Sequence, residues 1–188
     1  MKKIMLIAAM AFLTISGFAQ QGVIGTVSYD ELIYLMPEYM EAQVTLAAVN
    51  KETSETYQAM VEEYQSKMTQ YQQKSSNWTA AIKDAKEKEL MDMQNRIQEF
   101  QQSAYQELQE KQSELIAPIR EKAIQAVKDH AKAMGLILVL DVNQLLYFDE
   151  SKTYDLMPAV RNSLGIPEGR TLERVQEEIS VLQQQYAE

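Results

Sequence analysis

Two long stripes of heptad-spaced residues dominate the pattern between residues 38 and 134. The first stripe advances by alternating steps of four and three through Tyr39, Gln43, Leu46, Asn50, Thr53, Tyr57, Met60, Tyr64, Lys67 and Tyr71. Steps of this kind are typical of a helix that packs along a partner helix. After Ser75, Ser76 and Asn77, a second stripe runs through Ile82, Leu90, Met93, Ile97, Phe100, Ala104, Leu108, Lys111, Leu115 and Ile119. Because only a short turn separates them, the two helices are predicted to be antiparallel neighbours.

This helical hairpin is predicted to form a long, thin arm over residues 38–117. Glu38 and Ser76 are 38 steps apart, which gives an arm of about 57 Å at about 1.5 Å per residue. Pro118 lies the same number of steps beyond Ala80, so we expect it level with the start of the outgoing helix. Proline lacks the N–H group and clashes with the preceding turn, which predicts a kink at the base of the arm.

Shorter apolar runs on both sides of the arm predict a small sheet. We interpret Val23 to Tyr29 as one strand, and the runs Leu136 to Val142 and Leu145 to Phe148 as a β-hairpin that turns at Asn143 and Gln144. The predicted fold class is therefore α+β and mainly α, with a coiled-coil arm that projects from a small β-sheet body.

Short helices are predicted beside these strands. One covers residues 30–36 with Asp30 as its N-cap, and another covers residues 156–164 with Asp155 as its cap. The β-rich body would comprise residues 20–37 and 118–164. A final stripe predicts an extra helix within residues 165–188, and it consists of Leu172, Val175, Ile179, Leu182 and Tyr186. We expect this helix to pack on the body or on another subunit, with contact to a bound protein or disorder as alternatives.

The predicted body is too small to be stable in one copy. A sheet of about three strands has open edges and little core, so we expect several copies to cover one another's apolar faces. The residues expected in this oligomerisation body are Val23, Ile24, Val27, Leu136, Ile137, Leu138, Val139, Leu140, Leu145 and Leu146.

The first residues have the features of a secretory signal peptide. A basic start is followed by an apolar run from Ile4 to Ile15, and Gly17 and Ala19 are the small residues of a cleavage site after Ala19. The apolar run is too short for a permanent membrane-spanning helix. We therefore expect residues 1–19 to be removed and the mature protein to be exported and soluble.

Composition and charge exclude several classes of function. The chain has six glycines and four prolines, which agrees with long helices, and it has no cysteine, which excludes disulfides and thiolate metal sites. Its formal charge is −9, and loss of Lys2 and Lys3 with the signal peptide would make it −11. Such an acidic protein is not expected to bind nucleic acid.

Five features follow one another along the chain, namely the signal peptide, the strand-like VIGTVSYDELIYLMPEY at 23–39, the helical hairpin, GLILVLDVNQLLYFD at 135–149, and DLMPAV at 155–160. In this order they resemble the Skp/OmpH family of periplasmic chaperones. The resemblance covers about Val23 to Leu164. It implies a periplasmic homotrimer in which three arms enclose a cavity. It also implies that unfolded outer-membrane β-barrel proteins are held in that cavity without ATP.

The charge departs from the basic members of this family, whose arm tips are positive and have been linked to membrane or lipopolysaccharide contact. An acidic mature chain argues against such contact here. The charge is nevertheless uneven, because residues 65–95 carry five lysines against four acidic residues. The tip of the arm is therefore expected to be the least acidic part of the molecule.

The stripes on the arm are unusual in their use of methionine and aromatic residues. Methionine is flexible and tyrosine combines an apolar ring with a polar edge, so both suit weak contacts with dissimilar chains. The candidate client-binding residues are Tyr57, Met60, Tyr64, Met68, Tyr71, Trp78, Met91, Met93 and Phe100. The alternative is that these residues only fill the seam of the hairpin and that Trp78 caps its end.

No arrangement typical of an enzyme or of a cofactor site is found in the sequence. His130 is the only histidine and lies near a predicted helix end, and no Gly-rich phosphate loop or nucleophile motif is present. We therefore expect a non-enzymatic chaperone without cofactors. The alternative function is an envelope coiled-coil scaffold or adaptor that lacks chaperone activity.

Overall fold

The computed structural model describes residues 23–187, so the predicted signal peptide and its cleavage site after Ala19 lie outside the described residues. Three strands are present: β1 (Ile24–Val27), β2 (Leu138–Asp141) and β3 (Thr153–Asp155). The helices are α1 (Tyr29–Leu35), α2 (Pro37–Lys74), α3 (Ala80–Ala133), α4 (Met157–Ser163) and α5 (Leu172–Ala187). These elements confirm the α+β, mainly α fold class.

The helical hairpin has the predicted bounds within one or two residues. Pro37 is in the first turn of α2, and the extended Met36 before it follows from the steric preference of a residue that precedes proline. Ser75–Asn77 form a 3₁₀ turn, and the Thr79 side chain then accepts a hydrogen bond from the Ile82 N–H to cap α3. Two helices so connected pack as antiparallel neighbours, as the stripes predict.

Helix α3 continues past the arm and into the body. Its 54 residues correspond to about 81 Å, and Pro118 lies inside it. At this level the Lys122 ammonium pairs with the Glu38 carboxylate at the start of α2, which joins the two helices at the base of the arm. The helix ends at Ala133, and Gly135 beyond it has a φ of +66°, the left-handed conformation typical after a helix C-terminus.

The predicted β-hairpin is wrong. Residues 145–148 form no strand, and the third strand is Thr153–Asp155. β1 is the central strand, and β2 and β3 both pair with it in parallel, with Ile24 opposite Leu138 on one side and Thr153 on the other. A hairpin would have made the two later strands antiparallel neighbours.

The reason for this topology lies in Asp141, the last residue of β2. Its carboxylate accepts hydrogen bonds from the Asn143 N–H at 3.2 Å and from the Tyr29 N–H at the start of α1 at 3.4 Å. The bond to Asn143 stabilises a 3₁₀ turn at Val142–Gln144, and the chain then crosses to the opposite edge of the sheet. Asp30 is likewise not the N-cap of α1, because that position is held by Ser28.

The core lies between the sheet, α1, α4 and the body part of α3. Its largest fully buried side chains are Leu32, Leu35, Met36, Leu156 and Val160. Val175 of α5 is buried in the same cluster, with Leu172 and Ile179 packed against it. The C-terminal helix therefore packs on the body and on the first part of α2. The exact division of the chain at residues 118 and 165 stays a prediction.

Gly25 is placed where the core approaches β1 most closely. A Cβ atom at this position would lie 2.6 Å from Leu156 Cδ1 and 2.7 Å from Leu136 Cδ1. Replacing Gly25 by alanine should therefore lower the free energy of unfolding by about 1–3 kcal/mol through overpacking. Urea unfolding at a fixed protein concentration measures this loss.

Gly169→Ala is the matched control, because the nearest atom to a Cβ there is Arg174 Nη1 at 3.7 Å. Its free energy of unfolding should stay within about 0.5 kcal/mol of the wild type. Equal stability of the two variants would contradict the close packing of β1 against Leu136 and Leu156.

Candidate functional site

The arm buries only a narrow line of its side chains. Along α3, Leu90, Met93 and Ala104 are buried against α2. On α2 the sole buried residue is Ala42, near the base. Two helices can cover only the faces that they turn toward each other, so most stripe residues further out keep part of their surface in solvent.

The predicted client-binding residues fall into three groups by exposure. Met91 is 63% exposed and Met93 is 2% exposed, although both are on α3 and only two residues apart. The remaining seven are half-buried, namely Tyr57, Met60, Tyr64, Met68, Tyr71, Trp78 and Phe100. Met93 thus fills the seam of the hairpin, and we leave it out of the accessible surface. The other eight side chains offer apolar atoms to solvent along the arm.

The tip of the arm is closed by an aromatic pair. The rings of Tyr71 and Trp78 meet edge to face, with centroids 5.8 Å apart and planes at 66°. The Tyr71 hydroxyl also hydrogen-bonds to the Glu87 carboxylate on α3. Trp78 therefore covers the end of the hairpin, as the capping alternative predicts, while part of its ring stays accessible.

Below the tip, Glu89 joins the two helices through two lysines. Lys67 Nζ of α2 lies 2.5 Å from Glu89 Oε1, and Lys86 Nζ of α3 lies 2.7 Å from Glu89 Oε2. The hydrogen bonds from Lys67 and Lys86 lower the pKa of Glu89 to about 2. The same contact raises the pKa of Lys67. This ion-pair cluster fixes how α2 and α3 align near the tip.

A second group of exposed apolar side chains lies on the body. Ile137 is 70% exposed, Leu146 is fully exposed, and Val23, Leu138 and Tyr147 are exposed as well. The other residues predicted to form the oligomerisation body are buried to different degrees. Val27 is buried in the core, Leu136 and Val139 pack against it, and Ile24, Leu140 and Leu145 are half-buried.

Sequence reasoning missed several accessible aromatic side chains. Tyr105 on the arm and Tyr147 and Tyr154 on the body are exposed. Tyr105 follows the stripe residue Ala104 and is not itself on the stripe. It was missed because a heptad pattern identifies only the residues of the seam. Tyr147 is in the apolar run that was interpreted as a strand, so its apolar character was recognised but its exposure was not.

Residues 23–187 lack the features of a metal site and of a membrane-spanning helix. In this part of the chain, no three acidic or histidine side chains are grouped to hold a metal ion. None of the described helices combines the length and the apolar character needed to cross a bilayer. His130 is half-buried near the end of α3, where its carbonyl oxygen accepts the Met134 N–H.

The low pKa of Glu89 makes the tip sensitive to acid. A carboxylate whose pKa is lowered from 4.5 to about 2 stabilises the folded state above its ordinary pKa, and this contribution is lost as the pH falls toward 2. At pH 6, amide hydrogen exchange at the tip should therefore be slower in the wild type than in a Glu89→Gln variant. At pH 2 about half of the Glu89 carboxyl groups should be protonated, so the difference in exchange rate should be much smaller than at pH 6.

Glu99→Gln provides the control, since Glu99 is exposed on the same helix. That variant should match the wild type at both pH values. If the exchange rates of the wild type and of Glu89→Gln differ by the same factor at pH 6 and at pH 2, the ion pairs do not stabilise the tip.

Comparison with known proteins agrees with this arrangement of arm and body. Residues 23–164 match the family model described as outer membrane protein (OmpH-like). No curated protein sequence gives a significant match. The family match covers the sheet, the whole arm and α4, and it ends before α5. The chain therefore belongs to the OmpH-like family, a family of periplasmic chaperones of outer-membrane proteins.

Proposed function

We propose that the protein is an ATP-independent holdase that binds unfolded outer-membrane β-barrel proteins and prevents their aggregation. Three copies would assemble through the body, and their arms would enclose the client. The single observation that carries the proposal is the arm itself, because its methionine and tyrosine side chains are left half-exposed along two helices that are otherwise polar.

These side chains suit a client without fixed structure. A methionine side chain has three rotatable bonds and a polarizable sulfur, so it adapts to different apolar surfaces. A tyrosine ring offers apolar contact, and its hydroxyl can satisfy a polar group of the client backbone. Contacts of this kind are individually weak, and they do not select one client sequence.

Holding a client in this way needs no nucleotide. A protein that binds the unfolded form in preference to the folded form lowers the free concentration of chains that can aggregate. Several arms that act on one client raise the effective concentration of each weak contact. The client leaves when its next environment binds it more tightly.

The exposed apolar surface of the body supports assembly of several copies. Ile137 and Leu138 are exposed at the start of β2, an edge strand of the three-stranded sheet, and Leu146 is exposed in the segment that follows this strand. An open edge beside exposed apolar side chains is a surface that other copies can cover. The number three comes from the resemblance of the chain to its family.

Suppression of aggregation tests the proposed function directly. Purified protein should keep a urea-unfolded β-barrel protein from aggregating after dilution, at about one trimer per client and without ATP. Light scattering measures this effect. If the protein is a scaffold without chaperone activity, scattering will rise as in the absence of the protein, and that result would contradict the proposal.

The contribution of the arm is tested by a double variant, Met68→Ser with Met91→Ser. Each lost methionine contact contributes about 0.3–1.5 kcal/mol, so we expect the affinity for client to fall by several-fold. The matched control is Gln72→Ser with Gln94→Ser, which changes exposed polar residues of the same two helices. Equal activity of the two double variants would mean that the client binds elsewhere.

The assembly is tested by a charge placed on the body surface. Burial of an apolar side chain of this size contributes about 1.5–3 kcal/mol, so Ile137→Glu with Leu146→Glu should weaken the interface at least about a hundredfold. Sedimentation velocity should then show a monomer where the wild type shows a trimer. Val181→Glu, an exposed apolar position on α5, should leave the mass unchanged. A trimer that persists in the double variant would contradict assembly through this surface.

A further inference from the structure

A groove of about 690 Å³ lies between the base of the arm and the C-terminal helix. Its walls are residues 43–58 of α2, 105–112 of α3 and 179–186 of α5. Along α2 this is 15 steps, or about 22 Å, so the groove is elongated. The wall formed by α5 lies beyond residues 23–164, which match the family model, while the walls formed by α2 and α3 lie within them.

The lining of the groove combines apolar side chains with amides. Leu46, Leu108 and Leu182 supply apolar surface from the three helices. Six further lining residues carry an amide, namely Gln43, Asn50, Gln58, Gln109, Gln112 and Gln183. An amide both donates and accepts hydrogen bonds, as a peptide group does. The charged lining residues are Lys51 and Glu55, which balance each other.

The lining of the groove favours an extended chain over a helix. A helix pairs its own backbone N–H and C=O groups, whereas an extended segment leaves them free to pair with the amides of the lining. An extended segment rises about 3.3 Å per residue, so six or seven residues would span the groove.

We propose that this groove binds an extended, uncharged segment of the unfolded client. The segment would alternate apolar and polar residues, so that one set of side chains contacts the three leucines and the backbone meets the amides. A strand of a membrane β-barrel has this alternation and is about ten residues long. The inference rests on the proposed function and adds a second contact on the client, at the base of the arm.

Tyr105 is placed to take part in this contact. Its side chain is 68% exposed at the wall of the groove. Gln109 of the same wall donates a hydrogen bond to the Tyr105 hydroxyl at 2.9 Å, which links the two side chains at the edge of the groove. A photocrosslinking amino acid at position 105 should therefore capture a bound segment.

The test uses the full-length mature protein and a labelled peptide. The peptide is an uncharged heptamer that alternates leucine or tyrosine with serine or asparagine, and its binding is followed by fluorescence anisotropy. Gln112→Trp fills the groove from α3 and should weaken binding at least about tenfold, which corresponds to about 1.4 kcal/mol. Ser54→Trp, which fills the groove from α2, should have a similar effect.

Ser103→Trp is the matched control. Ser103 is exposed on α3, and it is nine residues, or two and a half turns, from Gln112, on the opposite face of the helix. This variant should bind the peptide as the wild type does. Circular dichroism shows whether all three variants are folded.

The outcomes separate this inference from the proposed function. If the wild type suppresses client aggregation but does not bind the peptide, or if Gln112→Trp and Ser54→Trp bind it like the wild type, the groove is not a client site. If Gln112→Trp changes the sedimentation mass, another copy of this chain occupies the groove, and the inference is likewise wrong. Peptide binding without suppression of aggregation would contradict only the proposed holdase function.

Discussion

The accessible surface of the arm follows from the fact that two helices alone cannot bury their apolar residues completely. In α2 and α3, a single line of contact covers residues such as Leu90 and Met93. A third helix would bury a wider face, and α5 provides one only near the base, where it packs beside α2. Further out, Tyr64 and Met68 stay half-exposed. The same thin packing explains why the hairpin needs the Lys67–Glu89–Lys86 cluster and the Tyr71–Trp78 pair near its tip.

The body holds the base of the arm in place, although its core is very small. β1 is hydrogen-bonded on both sides, and the chain segments before and after the arm meet in this sheet. Leu35 at the end of α1 and Met36, which directly precedes α2, are buried together with Ile119 and Ala123 of α3. The two ends of the arm are thus fixed in one core, while Leu138 of β2 stays exposed.

Sequence reasoning located the ends of the two long helices within a few residues because the signals for helix ends are local. Pro37, the Ser75–Asn77 turn and Gly135 each mark a helix end by their own backbone preferences. The sheet was harder, since strand order depends on contacts between distant residues, such as that of Asp141 with Tyr29. Accessibility was the least predictable property. Met91 and Met93 differ by two positions, and only the packing of α2 against α3 decides that one is exposed and the other buried.

Exposed apolar side chains bring a risk of self-association, and the composition of the arm limits it. The accessible methionines and tyrosines form a narrow stripe that is flanked by glutamine, glutamate and lysine, which limits the apolar area that two copies could share. The net charge of −9 adds repulsion between copies at distances below about 8–10 Å in physiological salt. An uncharged, extended chain is not repelled in this way. The arms of two copies can therefore avoid association with each other and still contact an unfolded segment that alternates apolar and polar residues.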